Sequence, residues 1–106
     1  MTTNDYASKA RLLTTLSNAS RLELLTIISQ REYSVGDLAR TLNISQSSLS
    51  QHLARLRDEN LVSARKEAQT VYYRSNSEAV RLLLTTLEAI SATEIAPFAP
   101  GEHPNR

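Results

Sequence analysis

The sequence predicts a mainly α-helical domain carrying one small β-hairpin, and three observations lead there. Apolar residues recur every three or four positions as far as Leu61, which is the helical repeat. The period changes only between Val62 and Arg74, where two β-prone runs are joined by a short link. A long apolar stripe then resumes, before Pro97, Pro100, Gly101 and Pro104 mark a tail that cannot sustain a helix.

Each element has its own signal. Tyr6, Leu12, Leu13 and Leu16 mark a first helix of about three turns. Asn18 interrupts that rhythm and is suited to cap a second helix, since a short side-chain oxygen can accept from the free N–H groups of a helix start. In this second helix Leu22, Leu25 and Ile28 repeat every three residues, and Leu24 and Ile27 widen the stripe, so it is expected to be well buried. Ser34 followed by Asp37 resembles a capping box opening a short helix with Val35, Leu38, Ala39 and Leu42 inward and an end near Asn43. Ser45 caps the next helix, where Leu49, Leu53 and Leu56 stand at i, i+4 and i+7 and face the core.

Val62 to Lys66 and Thr70 to Arg74, joined by Glu67, Ala68 and Gln69, read as the hairpin and as the only extended stretch. A last helix opens near Asn76 or Ser77 and aligns Val80, Leu83, Leu84, Leu87 and Ile90, a face that wants a partner. The expected organisation is one domain over residues 1–91 in the order α1-α2-α3-α4-β1-β2-α5, followed by a flexible Pro-rich tail over 92–106.

Composition excludes several classes of function. A chain of 106 residues with 41% hydrophobic and 22% charged residues is ordinary for one soluble domain. No apolar run approaches the roughly 18 residues of a membrane span, and Met1 to Lys9 is polar rather than a signal peptide, so a cytoplasmic protein is expected. The absence of cysteine excludes disulfides, thiolate metal sites and cysteine nucleophiles. Gly36 and Gly101 are the only glycines, so there is no phosphate loop, and no nucleophile and base pair stands out; neither an enzyme nor a cofactor is expected.

The net charge of +1 conceals a segregation along the chain. Between Arg40 and Arg74 six basic residues (Arg40, Arg55, Arg57, Arg65, Lys66, Arg74) face three acidic ones (Asp58, Glu59, Glu67), which leaves +3 there and −2 elsewhere. Taken alone, an asymmetry of this size is weak. It gains meaning from the element order, because two short helices separated by Asn43 and Ile44 and followed by a hairpin describe a helix-turn-helix with a wing, whose second helix enters the DNA major groove.

With Leu49, Leu53 and Leu56 inward, a turn of about 100° per residue puts Ser47, Gln51 and Ala54 outward, with Gln46, Ser50 and Arg55 at the edges. Gln can pair bidentately with the N6 and N7 edge of adenine, Ser can donate or accept, and small side chains permit close approach. Gln46, Ser47, Ser50 and Gln51 are therefore the candidate base readers. Arg40, Ser45, Arg55, Arg57, Arg65 and Lys66 are the candidate backbone contacts, which supply affinity and its salt dependence. A polar face opposite an apolar stripe is by itself only the solvated side of an amphipathic helix. Here it carries small residues and amides in place of the usual Glu and Lys, which favours DNA. The rival reading is a winged helix that docks on a protein and binds no DNA.

These residues also carry a resemblance. LSNASRLELL from Leu16 to Leu25, VGDLARTLNISQSSLSQHLARLRDENLV from Val35 to Val62, the strand TVYYRS and the apolar last helix resemble the ArsR/SmtB family of bacterial repressors, most closely its cysteine-free nodulation-regulator (NolR-like) members. The match spans roughly residues 10–90, and SQSSLSQHLARL is its specific part. The resemblance implies a homodimer built from the first and last helices, here through Leu12, Leu13, Leu16, Val80, Leu83, Leu84, Leu87 and Ile90, that binds an imperfect operator palindrome in double-stranded DNA.

Metal-sensing members of the family carry a cysteine pair where this chain has Ser34 and Gly36, or histidines and carboxylates on a last helix that here holds Glu78 and Glu88 without histidine. Serine and glycine cannot replace thiolates as soft ligands, so no metal site is expected. His52 adjoins the buried stripe and is read as a support of its helix, while His103 lies in the tail beside Glu102. The wing carries Ala68 and Gln69 where the family often has a glycine and a further arginine. Tyr72 and Tyr73 are assigned a structural role, one ring in and one out.

Overall fold

The computed structural model describes residues 5–93, which form α1 (Tyr6–Leu16), α2 (Ala19–Gln30), β1 (Tyr33–Ser34), α3 (Val35–Leu42), α4 (Gln46–Asp58), β2 (Ser63–Glu67), β3 (Thr70–Arg74) and α5 (Glu78–Thr93). Each helix begins where a short polar side chain accepts from the backbone N–H three residues on. Asp5 accepts from Ser8, Asn18 from Arg21, Ser34 from Asp37, Ser45 from Ser48 and Ser77 from Val80, at 3.0–3.2 Å. The capping box at Ser34 is made only in its first half, because the Asp37 carboxylate turns to Arg40 one turn later. Asn43 ends α3 in the left-handed region at φ 56° and ψ 49°, a conformation that Asn tolerates better than other non-glycine residues. Asn60 does the same just beyond α4, at φ 59°.

The expected element order holds with one addition. Tyr33 and Ser34 form a third strand, paired antiparallel with β3 so that Tyr33 faces Tyr73 and Ser34 faces Tyr72, and the sheet order is β1-β3-β2. Two residues are too few to show a period of two, so this strand leaves no pattern in the sequence. The hairpin itself is one residue tighter than expected. Glu67 pairs with Thr70 across a turn of Ala68 and Gln69, and β2 starts at Ser63 because Val62 packs on the core instead. Ala68 has a positive φ of 57°, which L-residues adopt at a cost of about 1–2 kcal/mol. Helix α5 also outruns its expected end, continuing through Ser91 and Ala92 to Thr93, whose hydroxyl donates to the Ala89 carbonyl oxygen. Nothing before Pro97 forbids those turns. The Pro-rich segment itself lies outside the described residues.

The core joins the buried face of α2 (Leu24, Leu25, Ile28) to Leu38 of α3, to Leu49, Leu53 and Leu56 of α4, and to Tyr73 of the sheet. Ser75 ties these layers together: its N–H donates to the Ile28 carbonyl and its hydroxyl to the Leu61 carbonyl, at 3.0 and 2.7 Å. No buried side-chain nitrogen or oxygen among the described residues lacks a hydrogen-bond partner, so hydrogen bonds offset the cost of enclosing these polar groups.

Candidate nucleic-acid interface

Helix α4 owes its orientation to Leu49, Leu53 and Leu56, all buried, and its start to the Ser45 cap. With that side fixed, Gln46, Ser47, Ser50 and Gln51 all stand exposed, as the helical spacing requires. Ala54, expected outward with them, is half-buried. The reading edge is thus confined to the first turn and a half of the helix. The Ser45 hydroxyl lies 3.2 Å from that of Ser47 and accepts from the Ser48 N–H, so its own proton is free for Ser47 or for an incoming acceptor. Gln46 also borders a cleft of about 450 Å³ between the start of α3 (Ser34, Val35, Gly36) and the tip of the wing (Gln69, Thr70, Val71). Helix start and wing therefore flank one concave surface.

The six candidate backbone contacts fall into two groups. Arg55 and Lys66 are exposed and have no hydrogen-bond or ion-pair partner among the described residues. Ser45 is exposed at the helix start. The other three are engaged. Arg40 is paired with Asp37. Arg57 donates to the Tyr73 phenol oxygen and lies 5.9 Å from the centre of that ring. Arg65, expected free for a phosphate, places Nε and Nη2 each 2.7 Å from the two oxygens of Glu32 and Nη1 2.6 Å from Glu67, while the Tyr72 ring lies 4.5 Å away. The Arg65 hydrogen bonds hold the Glu32 carboxyl below the usual carboxylate range, and the two carboxylates raise Arg65 above its ordinary value. Tyr73 is buried and Tyr72 half-buried under Arg65, in keeping with a structural role for both rings.

Two participants gave no sequence signal, because their contacts span 31 and 33 residues: Arg21 and Glu32. Arg21 donates from Nε to the Thr15 carbonyl at the end of α1, and its Nη1 lies 3.3 Å from Nδ1 of His52 on α4. Burial first, and then the positive charge of Arg21, push the His52 pKa below its ordinary value, so a neutral ring accepting from Arg21 is favoured. This strut supports α4 from behind.

The expected self-association residues divide by exposure. Leu16 is 7% exposed and Val80 1%, so both belong to the chain's own core and offer little surface to a partner. Leu12, Leu83 and Leu84 are half-buried against that core and Ile90 is half-buried on α5, whereas Leu13 is 61% and Leu87 42% exposed. Tyr6 and Leu82 are exposed apolar residues that the spacing did not single out for an interface. An apolar groove between α2 and α5, lined by Leu22, Leu84, Leu87 and Ala92, continues this surface.

Where family metal sites would stand, Ser34 caps α3 and Glu78 is paired with Arg81 at 2.5 and 3.0 Å. Among the described residues no three His, Cys, Asp or Glu side chains gather into a metal-holding group. His103 lies outside the described residues. None of the described helices is long and apolar enough to cross a membrane.

Comparison with known proteins gives a consistent pattern. Residues 18–64 match the family described as bacterial regulatory protein, arsR family. The nodulation protein NolR of Rhizobium meliloti is 47% identical over 86 residues, which cover 81% of this chain and 70% of that protein. The transcriptional activator HlyU of Vibrio cholerae is 46% identical over 79 residues, covering 74% and 73%. Among solved structures, NolR from Sinorhizobium fredii superposes with a TM-score of 0.79 at 43% identity, covering 81% of this chain and 86% of that one.

Proposed function

The chain belongs to the arsR family of bacterial regulatory proteins, and from that premise we propose that it is a cytoplasmic, homodimeric repressor that reads an imperfect DNA palindrome with α4. The observation that carries this reading is the exposed edge of Gln46, Ser47, Ser50 and Gln51 on a helix whose other side is fixed by three buried leucines. Serines and amides suit base edges, and the unpaired Arg55 and Lys66 suit phosphates. In a two-fold dimer formed through Leu12, Leu13, Leu83, Leu84, Leu87 and Ile90, the two α4 helices enter successive major grooves about 34 Å apart. The apolar surface of Leu13 and Leu87 supports that assembly.

The repressor works without the family's metal or thiol sensor positions, since the chain has no cysteine and Glu78 is engaged by Arg81. The testing experiment is an anisotropy titration of the protein against the DNA upstream of its own gene and against an unrelated duplex, at several salt concentrations. A preference for the upstream DNA, with affinity falling as salt rises, is expected. Equal affinity for both duplexes with no salt slope would refute the reading and favour a protein-docking module.

A further inference from the structure

The wing carries three basic residues, Arg65, Lys66 and Arg74, yet the two on β2 are offset in charge. Arg65 and Lys66 supply two positive charges, and Glu67 together with Glu32, which reaches across from the link between α2 and β1, supplies two negative ones. Three of the five guanidinium N–H donors of Arg65 are used on these carboxylates, and Tyr72 covers one face. Arg65 is half exposed, but a phosphate approaching it is repelled by the adjoining Glu32 and Glu67 carboxylates. The bidentate, planar pairing with Glu32 is also the geometry that Arg would offer a phosphate, so the carboxylate occupies the site by mimicry of the ligand's shape and charge.

We propose that Glu32 is an affinity-limiting residue: by holding Arg65 it withholds one phosphate contact per protomer, lowers attraction to any duplex and leaves discrimination to the edge of α4. Phosphate contacts are made on any sequence, so they raise affinity for all DNA alike. A wing with a free Arg65 would bind all DNA more tightly and with a steeper salt dependence. The inference rests on the DNA-binding reading, and its test separates the two.

The test compares wild type, Glu32→Gln, Glu67→Gln, Asp58→Asn and the double variant Glu32→Gln/Arg65→Gln, each titrated against upstream DNA and an unrelated duplex across a salt series. Glu32→Gln is expected to tighten binding to both duplexes by similar factors at low salt. It should also steepen the slope of log affinity against log salt by about 0.9 per freed arginine, so that for a dimer its advantage shrinks about tenfold between about 50 and 200 mM salt. Glu67→Gln should give a smaller change in the same direction, and it answers the question if Glu32→Gln fails to fold. Asp58→Asn removes the same charge at an exposed site without freeing an arginine, and should leave the slope unchanged. In the double variant the gain should vanish. Unchanged or weaker binding by both glutamate variants, or a gain that survives loss of Arg65, overturns the proposal. Failure of wild type to prefer its upstream DNA would refute the repressor reading instead.

Discussion

Gln51 and Leu53 stand two residues apart on α4 and should respond to truncation in opposite ways. Leu53 is 2% exposed, between Leu49 and Leu56, which are fully enclosed. Leu53→Ala removes most of a dry side chain and leaves a cavity, a change that costs about 2–5 kcal/mol. At about 3 kcal/mol and a urea slope of about 1.5 kcal/mol/M, the unfolding midpoint should fall by about 2 M. Gln51 is exposed with no hydrogen-bond partner among the described residues, so Gln51→Ala should move stability by less than about 0.5 kcal/mol. If Gln51 pairs bidentately with a base, each copy contributes about 1–3 kcal/mol of discrimination. Two copies on a palindrome then lower operator preference by at least about thirtyfold. The assays are urea denaturation monitored by circular dichroism, and a competition titration of operator against unrelated duplex in the absence of urea. Folded Leu53→Ala should keep its preference ratio. A Gln51→Ala protein as destabilised as Leu53→Ala, or one with its preference intact, would refute the division of α4 into a holding side and a reading side.

The same geometry sets two further outcomes. His52 has its pKa lowered in the folded state, first by burial and then by Arg21, so the folded protein binds fewer protons than the unfolded chain just below the ordinary histidine value of about 6.5. The stability it contributes is complete above that pH and is lost as pH falls through the depressed value. The thermal midpoint should therefore drop between about pH 7 and 5, and His52→Gln should flatten that drop; an equally steep fall in the variant would exclude His52 as its source. For self-association, Leu87→Glu should shift the protein to monomer in analytical ultracentrifugation and weaken DNA binding, because it places a charge on the exposed apolar surface of α5. A persistent dimer would move the interface elsewhere.

Much of the fold was legible because its signals are local. Each helix start carries its cap, and Asn18, Ser34 and Ser45 could be named from their residue type and the apolar spacing of the helix each one opens. The reading edge came from the leucine spacing alone, since fixing three inward positions fixes the outward ones. Ala54 escaped this logic because the spacing ignores what neighbouring elements cover. Strand β1 was illegible for a different reason: two residues become extended only because β3 offers Tyr73 and Tyr72 as partners. The fate of the arginines was the least legible. Arg65, Arg57 and Arg40 read in sequence like the unpaired Arg55, and each is engaged only because Glu32, Tyr73 or Asp37 arrives from near or far along the chain. The apolar stripe of α5 likewise mixes a core residue, Val80, with an exposed one, Leu87, because a helix lying on a small core buries only the turns that touch it.

The most direct test of base reading by α4 replaces single adenines of the operator half-sites with 7-deazaadenine, which removes the N7 acceptor and leaves pairing and charge intact. At the adenine read by a glutamine of α4, wild type should lose about 0.5–1.5 kcal/mol, the value of the one hydrogen bond removed, and the matching variant, Gln46→Ala or Gln51→Ala, should lose nothing further. If no adenine position responds, or if the loss persists undiminished in both variants, α4 does not read base edges through those amides.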